Sequence, residues 1–210
     1  VTGDELSTRR RTIAVAGHVG DTAAVARALD DPEATIREVA LGAAQRLDML
    51  DTTRLAAALL DESAIVRRRA AEVAAAHRDV DLLGALHDPD DDVLETAAWA
   101  CGEHETVSDA VLDRLMHLAT HADAALVRES CVAALGAIGD ERGLPAILAA
   151  CSDKPAIRRR AVLALAPFAG SEVDAALEKA RTDRDWQVRQ SAEDIAPLQD
   201  QDVQDQDVED

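Results

Sequence analysis

One short motif returns along the chain, and a chain built that way stacks in layers rather than folding around a single centre. An apolar residue is followed by arginine and, three places later, by a small residue. The copies are Ile36-Arg37 with Ala40, Val66-Arg67 with Ala70, Val127-Arg128 with Cys131, Ile157-Arg158 with Ala161, and Val188-Arg189 with Ala192. Val93-Leu94 with Ala97 keeps the pattern but puts leucine at the anchor. The anchors stand at 37, 67, 94, 128, 158 and 189, with steps of 30, 27, 34, 30 and 31 residues. A fainter copy begins at Arg9, where Arg9-Arg10-Arg11-Thr12-Ile13 aligns with Arg158-Arg159-Arg160-Ala161-Val162.

Each unit has room for two helices. Asp21 or Thr22, Asp51, Asp79, Ser108, Asp140 and Ser171 stand where a first helix needs a side-chain oxygen for its free N–H groups. The second helix carries the anchor. Around Arg128 the places one before and three, four, six and seven after are Val127, Cys131, Val132, Ala134 and Leu135, one apolar stripe at helical spacing. The chain is 48% hydrophobic yet has two Trp, one Phe and no Tyr, so its apolar bulk is small. Small residues suit thin layers of closely approaching helices better than one deep core. The expectation is an all-α solenoid of about six helical hairpins plus an N-terminal half-repeat over residues 1–198.

The turn between the helices carries a regular aspartate. Asp31 and Arg37, Asp61 and Arg67, and Asp183 and Arg189 stand six apart, while Asp123 and Asp153 stand one residue nearer Arg128 and Arg158. A charge pair present in nearly every layer predicts a structural ladder of hydrogen bonds and ion pairs between adjacent repeats.

With these residues in view, the string Val127-Arg128-Glu129-Ser130-Cys131-Val132-Ala133-Ala134-Leu135-Gly136-Ala137-Ile138-Gly139-Asp140 resembles a HEAT repeat, of the short type also found in phycobilin lyases. The resemblance runs over about residues 7 to 198. It implies a right-handed superhelix with first helices on the convex face and second helices on the concave face. It leaves function open, because such repeats serve in scaffolds, lyases, a hydroxylase and DNA-repair proteins.

Charge and motifs narrow that range. A net charge of −19 disfavours nucleic acid and anionic membranes. Cys101, Cys131 and Cys151 are odd in number and contain no Cys-x-x-Cys pair, which points to a reducing, cytoplasmic setting. No apolar run approaches a membrane span, and no phosphate loop, nucleophile elbow or HExxH motif occurs. Where the resemblance to the hydroxylase would call for His-Glu pairs in second helices, the chain has Arg-Glu, Arg-Arg, Arg-Gln or Leu-Glu. His117 and His121 share one helical face but sit at a helix end, where imidazole serves free carbonyls, so no metal or cofactor is expected.

Candidate binding residues occupy the places one, two, five and nine after each anchor, which the apolar stripe leaves outside. Trp99 and Leu163 are the large fifth-place residues, and an exposed Trp is the side chain most enriched in binding hot spots. Trp186, in a turn, is expected to cover the last layer. Twenty of the 22 basic residues are Arg, and nine form three triplets at 9–11, 67–69 and 158–160. Arg68, Arg69, Arg159 and Arg160 are expected to be free for a carboxylate or phosphate.

The leading expectation is a non-enzymatic scaffold that binds a protein partner, with an acidic or phosphorylated segment, in its concave groove. An accessory subunit of a lyase acting on a chromophore-bearing protein is the first alternative, and a nucleic-acid-binding protein the second. Residues 199–210 read QDQDVQDQDVED, with six acids and no base. Taking those charges from −19 leaves −13 on the body. Such a segment is expected to be disordered by itself, or to dock on Arg159 and Arg160.

Overall fold

A computed structural model describes residues 3–104 and 106–195. The expectations for segment 199–210, and for Glu105, therefore lie outside the described residues.

Among the described residues every regular element is helical. The helices are α1 (Gly3–Val19), α2 (Thr22–Ala28), α3 (Ala34–Arg46), α4 (Thr52–Ala58), α5 (Ala64–Ala74), α6 (Asp91–Gly102), α7 (Asp109–His121), α8 (Ala125–Ile138), α9 (Leu144–Ala150), α10 (Pro155–Ala164) and α11 (Ser171–Arg181). Residues 186–195 are also helical and are here α12. After α1 the elements pair as first and second helices, except that α6 is preceded by only a 3-10 turn, and the anchors all fall in second helices: α3, α5, α6, α8, α10 and α12.

The chain divides into two compact units, residues 1–100 and 101–210. In the first, α1 packs along α3 and α3 along α5, with α2 and α4 bracing them. In the second, α8 packs between α7 and α10, with α9 beside all three. Each core is the apolar stripe: Ile36, Ala40, Leu41, Ala43 and Ala44 of α3 are all at most 1% exposed, and so are Val127, Cys131, Val132 and Leu135 of α8.

Capping follows the aspartates and serines in most units. Asp21, Asp51 and Ser108 accept from the N–H groups of Ala24, Arg54 and Val111. Asp140 caps a 3-10 turn, Glu141–Gly143, that leads into α9. Two caps differ from expectation. Gly170, at φ +120°, precedes α11, and Ser171 is its first helical residue. After Asp79 no first helix forms; only a 3-10 turn, Ala85–His87, appears. That is the 27-residue step, which leaves eight residues between Asp79 and Asp88, one fewer than the nine that hold α2 between Asp21 and Asp31 and α4 between Asp51 and Asp61. Gly136 shows how tightly the second helices stack. It lies inside α8, where a Cβ would come within 2.7 Å of the Ala164 backbone, so it permits the close approach of α10. Gly139, at φ +69°, ends the helix in the left-handed conformation that glycine adopts without strain.

Candidate functional site

The turn edge is built by one repeated guanidinium geometry. In α3, the Arg37 Nη1 donates to the carbonyls of Asp31 and Pro32 in its own turn, at 2.8 and 3.1 Å. Its Nε and Nη2 donate side by side to both carboxylate oxygens of Asp61 in the next turn, at 2.8 and 2.7 Å. Arg67 treats Asp61, Glu62 and Asp88 in the same way, with the carboxylate at 2.6 and 2.9 Å. In the second unit Arg128 joins the carbonyls of Ala122 and Asp123 to the Asp153 carboxylate. Arg158 joins the Asp153 carbonyl to the Asp183 carboxylate. The four aspartates also accept backbone N–H bonds from Ser63, Asp90, Lys154 and Asp185. Each carboxylate therefore both shapes its own turn and receives the fork of the preceding repeat.

This bidentate form is among the strongest of protein hydrogen bonds. The four arginine side chains are 8–16% exposed, so loss of one partner strands a charge. Hydrogen bonds from Arg128 and Arg158 hold Asp153 and Asp183 below the usual carboxylate range. Burial pushes Asp61 and Asp88 upward, but the arginine forks and turn N–H groups outweigh it and lower both.

The sequence-predicted ladder residues fall into this pattern with one exception, Arg189. Asp31 takes Arg9 of the preceding repeat on its carboxylate and Arg37 on its carbonyl, as Asp61 takes Arg37 and Arg67. Arg189 donates its Nη1 to the carbonyls of Asp183 and Arg184, at 2.7 and 3.3 Å, and no carboxylate among the described residues meets its Nε and Nη2. Leu94, the leucine anchor, is 8% exposed and takes an apolar place instead.

The second-helix surface varies from layer to layer. In the first unit Trp99, on α6, is 44% exposed. Arg69 is not free as expected: it pairs with Glu72 at 2.7 Å, and its guanidinium lies over α3 at Gly42, where a Cβ would meet Nη2 at 2.1 Å. Arg10 lies 3.6 Å from Glu38. In the second unit Arg160 also departs from expectation, facing Glu129 at 3.8 Å. Leu163, 38% exposed, lines an open depression with Ala133, Gly136, Ala137, Arg160 and Pro167. Arg68 and Arg159 are half-buried, and no described carboxylate lies within ion-pair distance of either. Trp186, expected to cover the last layer, is 64% exposed. The Arg69–Gly42 seat was missed in the sequence, although glycine at a fifth place otherwise held by Glu72, Trp99, Ala133 and Leu163 was its signal.

Cys101 and Cys131 are buried, and burial pushes the Cys131 thiol up to about 12. His104 is buried too, at 6% exposure. His117 and His121 stack at 4.6 Å, and the His121 Nδ1 lies 3.1 Å from the His117 carbonyl. Among the described residues no cluster of three or more His, Cys, Asp or Glu side chains is arranged to hold a metal ion. None of the described helices is long and apolar enough to cross a membrane.

Helical hairpins linked turn to turn by a repeating fork define an α-solenoid repeat protein. A family profile described as HEAT repeats matches residues 52–136, 80–166 and 127–195, and the chain belongs to that family. No curated protein sequence matches. Among solved structures, an engineered protein is similar over 83% of this chain and 94% of its own, at 18% identity and a TM-score of 0.62. YibA of Escherichia coli is similar over 93% of this chain and 70% of its own, at 16% identity and a TM-score of 0.62. A designed armadillo repeat protein is similar over 83% of this chain and 98% of its own, at 16% identity and a TM-score of 0.57. At these identities the likeness is one of fold.

Proposed function

We propose that this protein is a cytoplasmic scaffold without chemistry of its own, and that its second-helix face binds an acidic or phosphorylated segment of a protein partner. The observation that carries the reading is the exposure of Trp99, at 44%, in a chain that otherwise keeps its few aromatics scarce. An indole held on a helix offers contact area at little entropic cost and is typical of binding anchors. Leu163 supplies a second apolar point. Arg68 and Arg159 supply forked donors that no carboxylate among the described residues has taken, on a protein whose net charge is −19. Arg69 and Arg160 have partners of their own and would have to exchange Glu72 and Glu129 for a ligand. The buried reduced thiols of Cys101 and Cys131 suit a reducing compartment.

An array of acidic, phosphorylated and neutral peptides, probed with the labelled protein, tests the reading. Binding to acidic or phosphorylated peptides that is lost in Trp99→Ala and weakened in Arg68→Ala or Arg159→Ala is expected. Equal binding by wild type and all three variants overturns it.

A further inference from the structure

The fork geometry has two halves, and among the described residues Arg189 makes only one. Its Nη1 holds the carbonyls of Asp183 and Arg184 just as Arg37 holds Asp31 and Pro32. In Arg37, Arg67, Arg128 and Arg158 that grip leaves Nε and Nη2 directed together at the next aspartate, at 2.6–3.1 Å. The orientation of Arg189 is therefore already fixed, and its remaining donors form a prepared receptor for one carboxylate. Little rotamer freedom is left to lose on binding, which is where exposed ion pairs ordinarily forfeit their gain.

The aspartates that fill the other forks have a sequence form. Two of them open an Asp-x-Asp turn, Asp88-Pro89-Asp90 and Asp183-Arg184-Asp185, in which the first carboxylate accepts the N–H of the second aspartate. Segment 199–210 contains that form twice, as Asp200-Gln201-Asp202 and Asp205-Gln206-Asp207. We propose that Arg189 is a carboxylate-binding site whose occupant is the chain's own segment 199–210, held through one of these Asp-Gln-Asp turns.

Reach allows it. Residue 195 lies six helical residues beyond Arg189, about 9 Å at 1.5 Å per residue. Five extended residues span about 17 Å, so Asp200 returns to Arg189 without strain. Trp186 stands three places before Arg189, on the same face of α12, and is 64% exposed. It offers Val203 or Val208 an apolar seat beside the fork. Arg159 and Arg160 are weaker hosts, since Arg160 already faces Glu129 and Arg159 lacks the carbonyl grip that fixes Arg189. A second copy of the chain is also a poorer occupant, because Asp31, Asp61, Asp88, Asp153 and Asp183 already carry arginines.

Nuclear magnetic resonance of the full chain tests this through the arginine Nε–H signals. The comparison is with a variant carrying Asp200→Asn, Asp202→Asn, Asp205→Asn and Asp207→Asn, which leaves the body untouched. The expected result is a shift of the Arg189 signal in the variant, no shift of Arg37 or Arg158, and a rise in acrylamide quenching of Trp186 in a Trp99→Phe background. An Arg189 signal that is identical in the two proteins overturns the proposal. Adding free QDQDVQDQDVED peptide to the variant separates the sources. Return of the Arg189 signal supports the site. A response to peptide without any prior difference between the proteins shows a site that accepts carboxylate but not from this segment, and overturns the assignment of the occupant.

Discussion

The turn edge and the second-helix face are made from neighbouring residues of the same motif, yet they behave as opposites. Arg158 and Arg159 are adjacent in α10. Arg158 is 6% exposed and makes three hydrogen bonds that join two turns, while Arg159 is half-exposed with no described carboxylate in reach. Arg67 and Arg68 repeat the contrast in α5. What recurs in every layer serves the stack, because each layer meets the same neighbour. What differs between layers, such as Trp99 against Ala133 and Leu163, is not required by stacking and is available for recognition.

Acid should break the turn edge first and most widely. Asp61, Asp88, Asp153 and Asp183 all titrate below their usual range in the folded chain. A carboxylate lowered in this way contributes stability that is present above its unfolded pKa, about 3.9, and lost as pH falls through its folded value. The melting temperature should therefore be flat above about pH 5 and fall steeply below about pH 4. Asp183→Asn should make that fall shallower. An unchanged slope would separate acid unfolding from the forks.

Arg158→Ala comes next. It leaves Asp183 with its charge and without its fork, in a half-buried turn, and should cost about 2–4 kcal/mol. Denaturant titration of wild type and variant measures it. Gly136→Ala should cost about 1–3 kcal/mol, because the new Cβ meets Ala164 Cβ at 2.6 Å and backbone that cannot yield. Gly42→Ala sharpens the comparison from the other side. There the added Cβ meets the tip of Arg69, which can swing away, and alanine is the better helix former. Its effect should be near zero or slightly stabilising, and a loss as large as that of Gly136→Ala would contradict the distinction between seat and stack.

The sequence made the stack legible because its signals are periodic: the apolar stripe, the anchor arginine and the turn aspartate each recur with the repeat. It could not show which aspartate an arginine takes. Asp31 and Arg37 stand six apart, but the carbonyl of Asp31, not its carboxylate, receives Arg37, and the fork reaches 24 residues on to Asp61. Spacing along one helix says nothing of the neighbour brought alongside by packing. The same limit hid the partners of Arg69 and Arg160, which lie on second helices and are engaged by Glu72 and Glu129. Trp186 was misread because a turn aromatic beside the last repeat usually finds cover, and in α12 it stands exposed instead.

Arg159→Ala and Trp99→Ala should disturb stability little, and that smallness is what makes them informative. Arg159 gives up no described ion pair, and alanine is the better helix former, so its loss should change stability by less than about 0.5 kcal/mol. Trp99 gives up some packing, because more than half of its surface is covered, and should cost about 1 kcal/mol. Binding should respond more strongly than stability in both variants. An indole anchor contributes about 2 kcal/mol or more, so Trp99→Ala should weaken an acidic peptide about 30-fold. Arg159→Ala removes one charge-assisted contact and should weaken it about 5- to 10-fold, with a reduced dependence on salt. Arg158→Ala is the control. Just one residue away, it should lower stability without altering the affinity of the fraction that remains folded. Calorimetric titration of one acidic peptide into the four proteins, below their melting temperatures, gives all of these values together. If Arg158→Ala and Arg159→Ala lose affinity equally, the turn edge and the binding face are not separate, and the division of labour drawn from their exposures fails.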